Sequence, residues 1–188
     1  MPYIDVDKNL PGIRALLAFS PETAAPIGAL AELLLRRSDS LSMADRELIG
    51  MYVSYLNDCF YCNHSHGEIA ICYLNGNREL VDAVRKDYRQ APITEKLKSL
   101  LQIAAKVQQG GRSVLPRDIE QAKEQGASDH DIHDTVLIAA TFCMMNRYVD
   151  GLATIAPQDM SSYPLRAKQI VEKGYGNHIF LQPQPQPL

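Results

Sequence analysis

Residues 59 to 66 read CFYCNHSH, two cysteines three apart followed by two histidines, in a chain with only four cysteines and five histidines in all. Sulfur and imidazole at this density can run a dithiol–disulfide cycle, hold a metal ion, or fill part of a core. On a helix each residue turns about 100°, which puts Cys62 and His66 on one face and Cys59 one turn earlier. His64 and Tyr61 rotate off that face, so His66 is the histidine set to work with the sulfurs. The first turn of a helix offers unpaired N–H groups and the positive end of the dipole, and both favour thiolate, the reactive form. An imidazole one turn further on can take the proton of Cys62 at neutral pH. Asp58, directly before Cys59, disfavours ionisation of that cysteine, which favours Cys62 as attacker and Cys59 as its partner.

Glu47 enters the same picture from the preceding segment, ADRELIGMYVSY. If the chain folds back at Asn57-Asp58, equal rise on both sides of the corner brings Glu47 opposite His66, where it can hold or relay a proton. Equally, with Arg46 beside it, Glu47 can sit in a solvated first turn, a common place for acids. A zinc site is the main rival to redox chemistry, because Cys59, Cys62, His64 and His66 are four ligand types. Structural zinc sites pair a C-x-x-C knuckle with ligands from a distant segment. Here all four come from two turns of one helix and cannot meet at one ion without unwinding it, so no metal is expected.

The elements that must position these side chains read as helices almost throughout. Ser20-Pro21 starts a helix through GALAELLLRR, with Arg36 and Arg37 in its last turn. A second begins at Ser40 or Ser42 and meets the corner at Asn57-Asp58. CFYCNHSHGEIAICYL runs to a left-handed stop near Asn75-Gly76. A short helix follows over NRELVDAVRKDY. Thr94 caps TEKLKSLLQIAAKVQQ, which Gly110-Gly111 ends, and Pro116 opens PRDIEQAKEQ, which Gly126 ends. Ser128 with Asp131 three residues on resembles a capping box, with Asp in place of the preferred Glu or Gln, for the most apolar helix, DIHDTVLIAATFCMMNRYVDGLA, expected in a bundle centre or at a subunit interface. YPLRAKQIVEKGYG is a last amphipathic helix. The fold class is therefore all-α, a bundle of about seven helices, with one domain over residues 1–175 and an extended Pro/Gln-rich tail over residues 176–188.

Composition narrows the function classes. The 188 residues are 46% hydrophobic and 22% charged with net charge −3, a balance that suits a soluble globular domain and gives no footprint for nucleic acid. No apolar run approaches the roughly 18 residues of a membrane span. The opening MPYIDVDKNLPG lacks a basic stretch followed by an apolar core, so no secretory signal is expected and the location is read as cytoplasmic. In a reducing compartment four cysteines are not a disulfide framework, and a C-x-x-C is catalytic or metal-binding. Cys72 and Cys143 stand in apolar surroundings and read as packed thiols. His130 and His133 read as surface or interface residues, and His178 belongs to the tail region. Tyr52, Tyr55, Tyr73 and Met144-Met145 read as core or pocket lining.

The pattern Glu47, Cys59, Cys62, His66, or E-x11-C-x-x-C-x-x-x-H with an apolar helix between, resembles the core motif of the alkylhydroperoxidase D (AhpD-like) family within the carboxymuconolactone decarboxylase-like superfamily. Similarity runs from about Pro21 to Tyr163, and RELIGMYVSYLNDCFYCNHSH is similar to the peroxidase-related subgroup. Where the family's prototype has a histidine between its cysteines, this chain has Phe60-Tyr61. The resemblance implies an all-helical homo-oligomer, trimer or hexamer, that reduces a hydroperoxide substrate in a peroxiredoxin-type cycle. It implies Cys62 as peroxidatic cysteine, Cys59 as resolving cysteine, and His66 with Glu47 as proton relay. No bound cofactor is implied, since sulfur carries the electrons. A dithiol reductant, lipoyl-type in the best-known member, would reopen the disulfide. The alternatives are a redox-sensing oligomer that does not turn over, and a decarboxylase-like activity, which in the superfamily generally lacks the cysteine pair.

Overall fold

A computed structural model describes residues 1–175; the expected tail over 176–188 lies outside the described residues. Among those residues there are nine α-helices, one 3-10 turn and no strand. In chain order they are α1 (Ile13–Phe19), α2 (Pro21–Leu35), α3 (Met43–Leu56), α4 (Phe60–Tyr73), α5 (Arg78–Asp87), α6 (Glu95–Gln109), α7 (Pro116–Glu124), α8 (Asp129–Gly151) and α9 (Ser162–Lys173). The start signals act as their chemistry requires. Ser42 and Asp45 close a reciprocal capping box on α3, as Ser128 and Asp131 do on α8, while Thr94 and Asn77 accept N–H bonds at the starts of α6 and α5. The expected count of about seven falls short chiefly because α1 was not foreseen. It is two turns long and follows Gly12, which has no capping side chain; the Gly12 N–H donates instead to the Ile155 carbonyl at 2.9 Å, and packing supplies much of the rest. The helix from Pro21 ends at Leu35, leaving Arg36 as its C-cap and Arg37 outside it.

Helix α3 is the centre of the bundle. It packs along α4 and also meets α8, α6, α5 and α2, and nearly every residue from Ala44 to Ser54 is buried. Burying a Leu, Ile or Val contributes about 1.5–3 kcal/mol, so Leu48, Ile49 and Val53 anchor the fold from within one helix. Glu47 and Arg46 are caught in that burial, with 0% and 1% of their surface exposed. The reading of Glu47 in a solvated first turn is therefore excluded. Arg46 is accommodated inside by its partners: Nη2 meets Asp134 Oδ2 at 2.8 Å and Asp39 Oδ1 at 2.7 Å, and Nη1 donates to the Leu34 carbonyl at 2.9 Å.

Helix α8 is buried along one side, through residues such as Ile138, Phe142, Met145 and Val149. Its other side leaves Leu137 and Met144 exposed, which corrects the expectation of Met144 as lining. Tyr55 is likewise exposed. Tyr52 is core, and Tyr73 accepts a hydrogen bond from Arg36. Cys72 and Cys143 are half-buried thiols packed against the main core. No helix of the described residues is long and apolar enough to cross a membrane.

Candidate functional site

The corner between α3 and α4 is where the sequence commits itself. Asp58 takes a left-handed conformation (φ 57°), which acidic and amide residues tolerate better than most. That single residue reverses the chain. Cys59 then becomes the N-cap of α4, and its N–H returns to the Ser54 carbonyl at 3.0 Å. Amides lock the turn: Gln108 from α6 donates to Asn57 Oδ1 at 2.9 Å, and Asn57 donates to Asn146 Oδ1 on α8 at 2.8 Å. Asn146 in turn donates to Ser54 Oγ at 3.1 Å. A partly buried network of this kind helps to fix the backbone of the corner.

Folding back packs α3 along α4, which brings Glu47 to His66 and sets Cys62 and His66 in the wall of one cavity, while Cys59 lies outside that wall. Glu47 Oε2 lies 2.7 Å from His66 Nδ1. With Nδ1–H donated to the carboxylate, Nε2 is the ring nitrogen left to exchange a proton. His66 and Cys62 both line an apolar cavity of about 70 Å³, with Tyr61, Phe142, Met145 and aliphatic residues of α1 and α2 around them. Phe142 packs edge-on against the His66 ring, centroids 4.6 Å apart. That ring sits so close to α3 that a Cβ at Gly50 would overlap it, so only glycine leaves Phe142 its place. Gly12 plays the same part for Tyr61: it has φ 58°, and a Cβ there would run into the phenol ring.

Cys59 and Cys62 are free thiols, both buried. The Cys59 thiol donates to Asp150 Oδ1 at 3.4 Å. A hydrogen bond shared with Cys62, then burial, then the neighbouring charges of Cys62 and Asp150 push Cys59 well above the ordinary thiol range. Cys59 is thus held as a protonated donor, and the sulfur beside it belongs to Cys62. The one carboxylate that adds to this push is Asp150 from the end of α8, whereas the Asp58 charge acts on Asp150 and adds to the upward shift of that acid. The upward direction for Cys59 comes chiefly from the Cys62 hydrogen bond and from burial, with the acid a smaller contributor.

His64 lies apart from this centre, against Phe60 and Tyr163, with ring centroids 4.3 and 5.9 Å away. Burial and the Arg85 charge lower its proton affinity. Among the described residues no three His, Cys, Asp or Glu side chains are grouped so as to hold a metal ion. Sequence reasoning missed Asp150, Asn146 and Tyr175. Tyr175, just beyond α9, donates its hydroxyl to Glu47 Oε1 at 2.6 Å and stacks on His66. None of the three stands at a spacing that local periodicity could have flagged.

Residues 21–85, which span α2 to α5, match the family model described as the carboxymuconolactone decarboxylase family. No curated protein matches the chain. Solved structures do. One is described as the alkylhydroperoxidase AhpD core of an uncharacterized peroxidase-related protein from Ralstonia eutropha JMP134, 27% identical, covering 80% of this chain and 78% of that one with a TM-score of 0.73. Another is an uncharacterized peroxidase-related protein from Silicibacter sp. TM1040, 29% identical, with the same coverage and a TM-score of 0.72.

Proposed function

The chain belongs to the AhpD-like branch of the carboxymuconolactone decarboxylase superfamily, and from that premise we propose that it is a thiol-dependent peroxidase acting on organic hydroperoxides. The observation that carries the reading is the 2.7 Å contact between Glu47 and His66 beside a cavity that His66 shares with Cys62. A decarboxylase reading has no use for a second, protonated thiol at Cys59. The peroxidase reading needs one.

In the first step the Cys62 thiolate attacks the peroxide O–O bond. An S–O bond forms, the O–O bond breaks, and the departing alkoxide takes a proton from His66 Nε2 and leaves as the alcohol. Cys62 is now a sulfenic acid. Its sulfur is then attacked by Cys59, an S–S bond forms, and hydroxide departs with the Cys59 proton as water. Two exchange steps with an external dithiol restore both thiols and leave that dithiol oxidised, so two electrons pass from reductant to peroxide. Glu47 keeps the imidazole oriented through both proton movements. The apolar lining favours an alkyl group on the peroxide, and a lipoyl-type dithiol remains the proposed reductant class.

Thiol titration of Cys62→Ser and Cys59→Ser variants before and after one equivalent of an alkyl hydroperoxide tests the assignment. Cys62→Ser abolishes peroxide consumption, and Cys59→Ser leaves a sulfenic acid that dimedone traps. The reverse pattern exchanges the two roles. With a dithiol reductant present, wild-type consumption that stops after one equivalent replaces the peroxidase by a redox sensor.

A further inference from the structure

Glu47 has two carboxylate oxygens, and the proton relay uses one. The other is occupied by a residue 128 positions away: the Tyr175 hydroxyl donates to Glu47 Oε1 at 2.6 Å. The same oxygen atom of Tyr175 lies 3.4 Å from His66 Nδ1, and the two rings are nearly parallel, 17° apart. Tyr175 is 5% exposed. Burial, then the charge and hydrogen bond of Glu47, raise its phenol far above the ordinary value, so it remains a donor.

The segment that delivers this hydroxyl is tied down at several points. Tyr175 N–H donates to Glu32 Oε2 at 2.6 Å, and Arg36 pairs with Glu32 Oε1 at 3.0 Å. Arg36 also donates to the Ile170 carbonyl at 2.8 Å and the Val171 carbonyl at 3.1 Å, in the last turns of α9. Gly174, at φ 81°, turns the chain out of α9 against Glu32, where a Cβ would collide with the carboxylate. Among the described residues, the titratable and charged groups around the Tyr175 phenol include Glu47 on α3, His66 and Tyr73 on α4, Arg36 at the C-cap of α2 and Arg166 on α9. Among the hydrogen bonds seen to Glu47, only those from His66 and Tyr175 bear on how its two oxygens are shared.

We propose that Tyr175 is a positioning residue of the thiol centre: its hydroxyl occupies Glu47 Oε1, reserves Oε2 for His66 Nδ1–H, and so keeps the imidazole in the tautomer whose Nε2 serves the cavity that Cys62 lines. The proposal rests on reading Glu47 and His66 as a relay. Removing the hydroxyl lets the carboxylate rotate and the ring flip, and a ring with its proton on Nε2 cannot accept one from Cys62.

The test uses the full chain with Tyr175→Phe, which keeps the ring and its packing. Two readouts are followed: the His66 tautomer by nitrogen-edited NMR, and the rate of Cys62 alkylation by iodoacetamide against pH, resolved by peptide mass spectrometry. In the wild type the Nδ1–H tautomer dominates. In Tyr175→Phe the Nε2–H form becomes populated and Cys62 alkylation at pH 7 slows on the order of fivefold, the size expected for one hydrogen bond. Unchanged tautomer and profile overturn the proposal, and so does slower alkylation with the tautomer unchanged, which would mark a purely structural role. Should Tyr175→Phe fail to fold, Glu32→Ala loosens the segment while leaving the phenol, and is expected to move both readouts the same way by less; no movement overturns the proposal. Neither readout uses peroxide, so absence of turnover would refute the proposed activity while leaving this positioning role to stand or fall separately.

Discussion

Two cysteines of the same first turn meet different surroundings, and the difference lies in what each sulfur touches. Cys59 is the N-cap, closed off from solvent and hydrogen-bonded to Asp150. Cys62, one turn on, opens into the cavity beside His66. The helix dipole acts on both, so it cannot by itself distinguish them. A carboxylate beside one of them can. Asp150→Asn should withdraw part of the upward push on Cys59 and enlarge its thiolate fraction at a given pH. Alkylation of Cys59 at pH 8, followed by peptide mass spectrometry, is expected to quicken about two- to threefold, because the lost interaction is partly exposed to solvent. A slower or unchanged rate would mean that Asp150 does not govern that thiol.

At the scale of helices, the site depends on α3 being held in place against α8. The Arg46–Asp134 pair does this at one end, and the Asn57–Asn146 bond does it at the other. Burial alone would raise the Asp134 carboxyl, but hydrogen bonds from His133 and Arg46 and the Arg46 charge bring it below its ordinary value. A carboxyl depressed in the folded state stabilises the protein above its unfolded value, near 3.9, and loses that contribution as pH falls through the lower folded value. Asp134→Asn should therefore cost about 3 kcal/mol at pH 7, since it leaves a buried guanidinium short of a partner. The cost should shrink steadily below about pH 4. Urea unfolding at pH 7 and at acid pH checks both statements; a deficit that persists undiminished in acid would rule out the charge as its source.

At the scale of the whole molecule, α8 presents an apolar face that the other described helices leave open. On α8 the exposed Leu137 and Met144 flank half-buried Val136 and Cys143, beside an open groove formed with the end of α6. Apolar surface of this kind on the outer side of a long helix suits contact with further copies of the chain. We expect sedimentation equilibrium to give a mass of several chains for the wild type and of one chain for the Leu137→Asp, Met144→Lys double variant. A wild type that sediments as a single chain would contradict it.

What could be read before folding was whatever depends on near neighbours. Helix starts at Ser42, Thr94 and Ser128 follow from a side chain reaching an N–H three residues on, and the shared face of Cys62 and His66 follows from helical pitch. Even the approach of Glu47 to His66 is local in this sense, because one tight corner separates their helices. Helix α1 escaped because nothing in Gly12 or in two turns of IRALLAF announces a start. Asp150 beside Cys59, Asn146 behind the corner and Tyr175 on Glu47 belong to tertiary structure alone: they join residues 91, 89 and 128 positions apart. Pairings at such separations come from how helices settle against one another around α3, and no periodicity within a segment encodes which distant side chain will arrive.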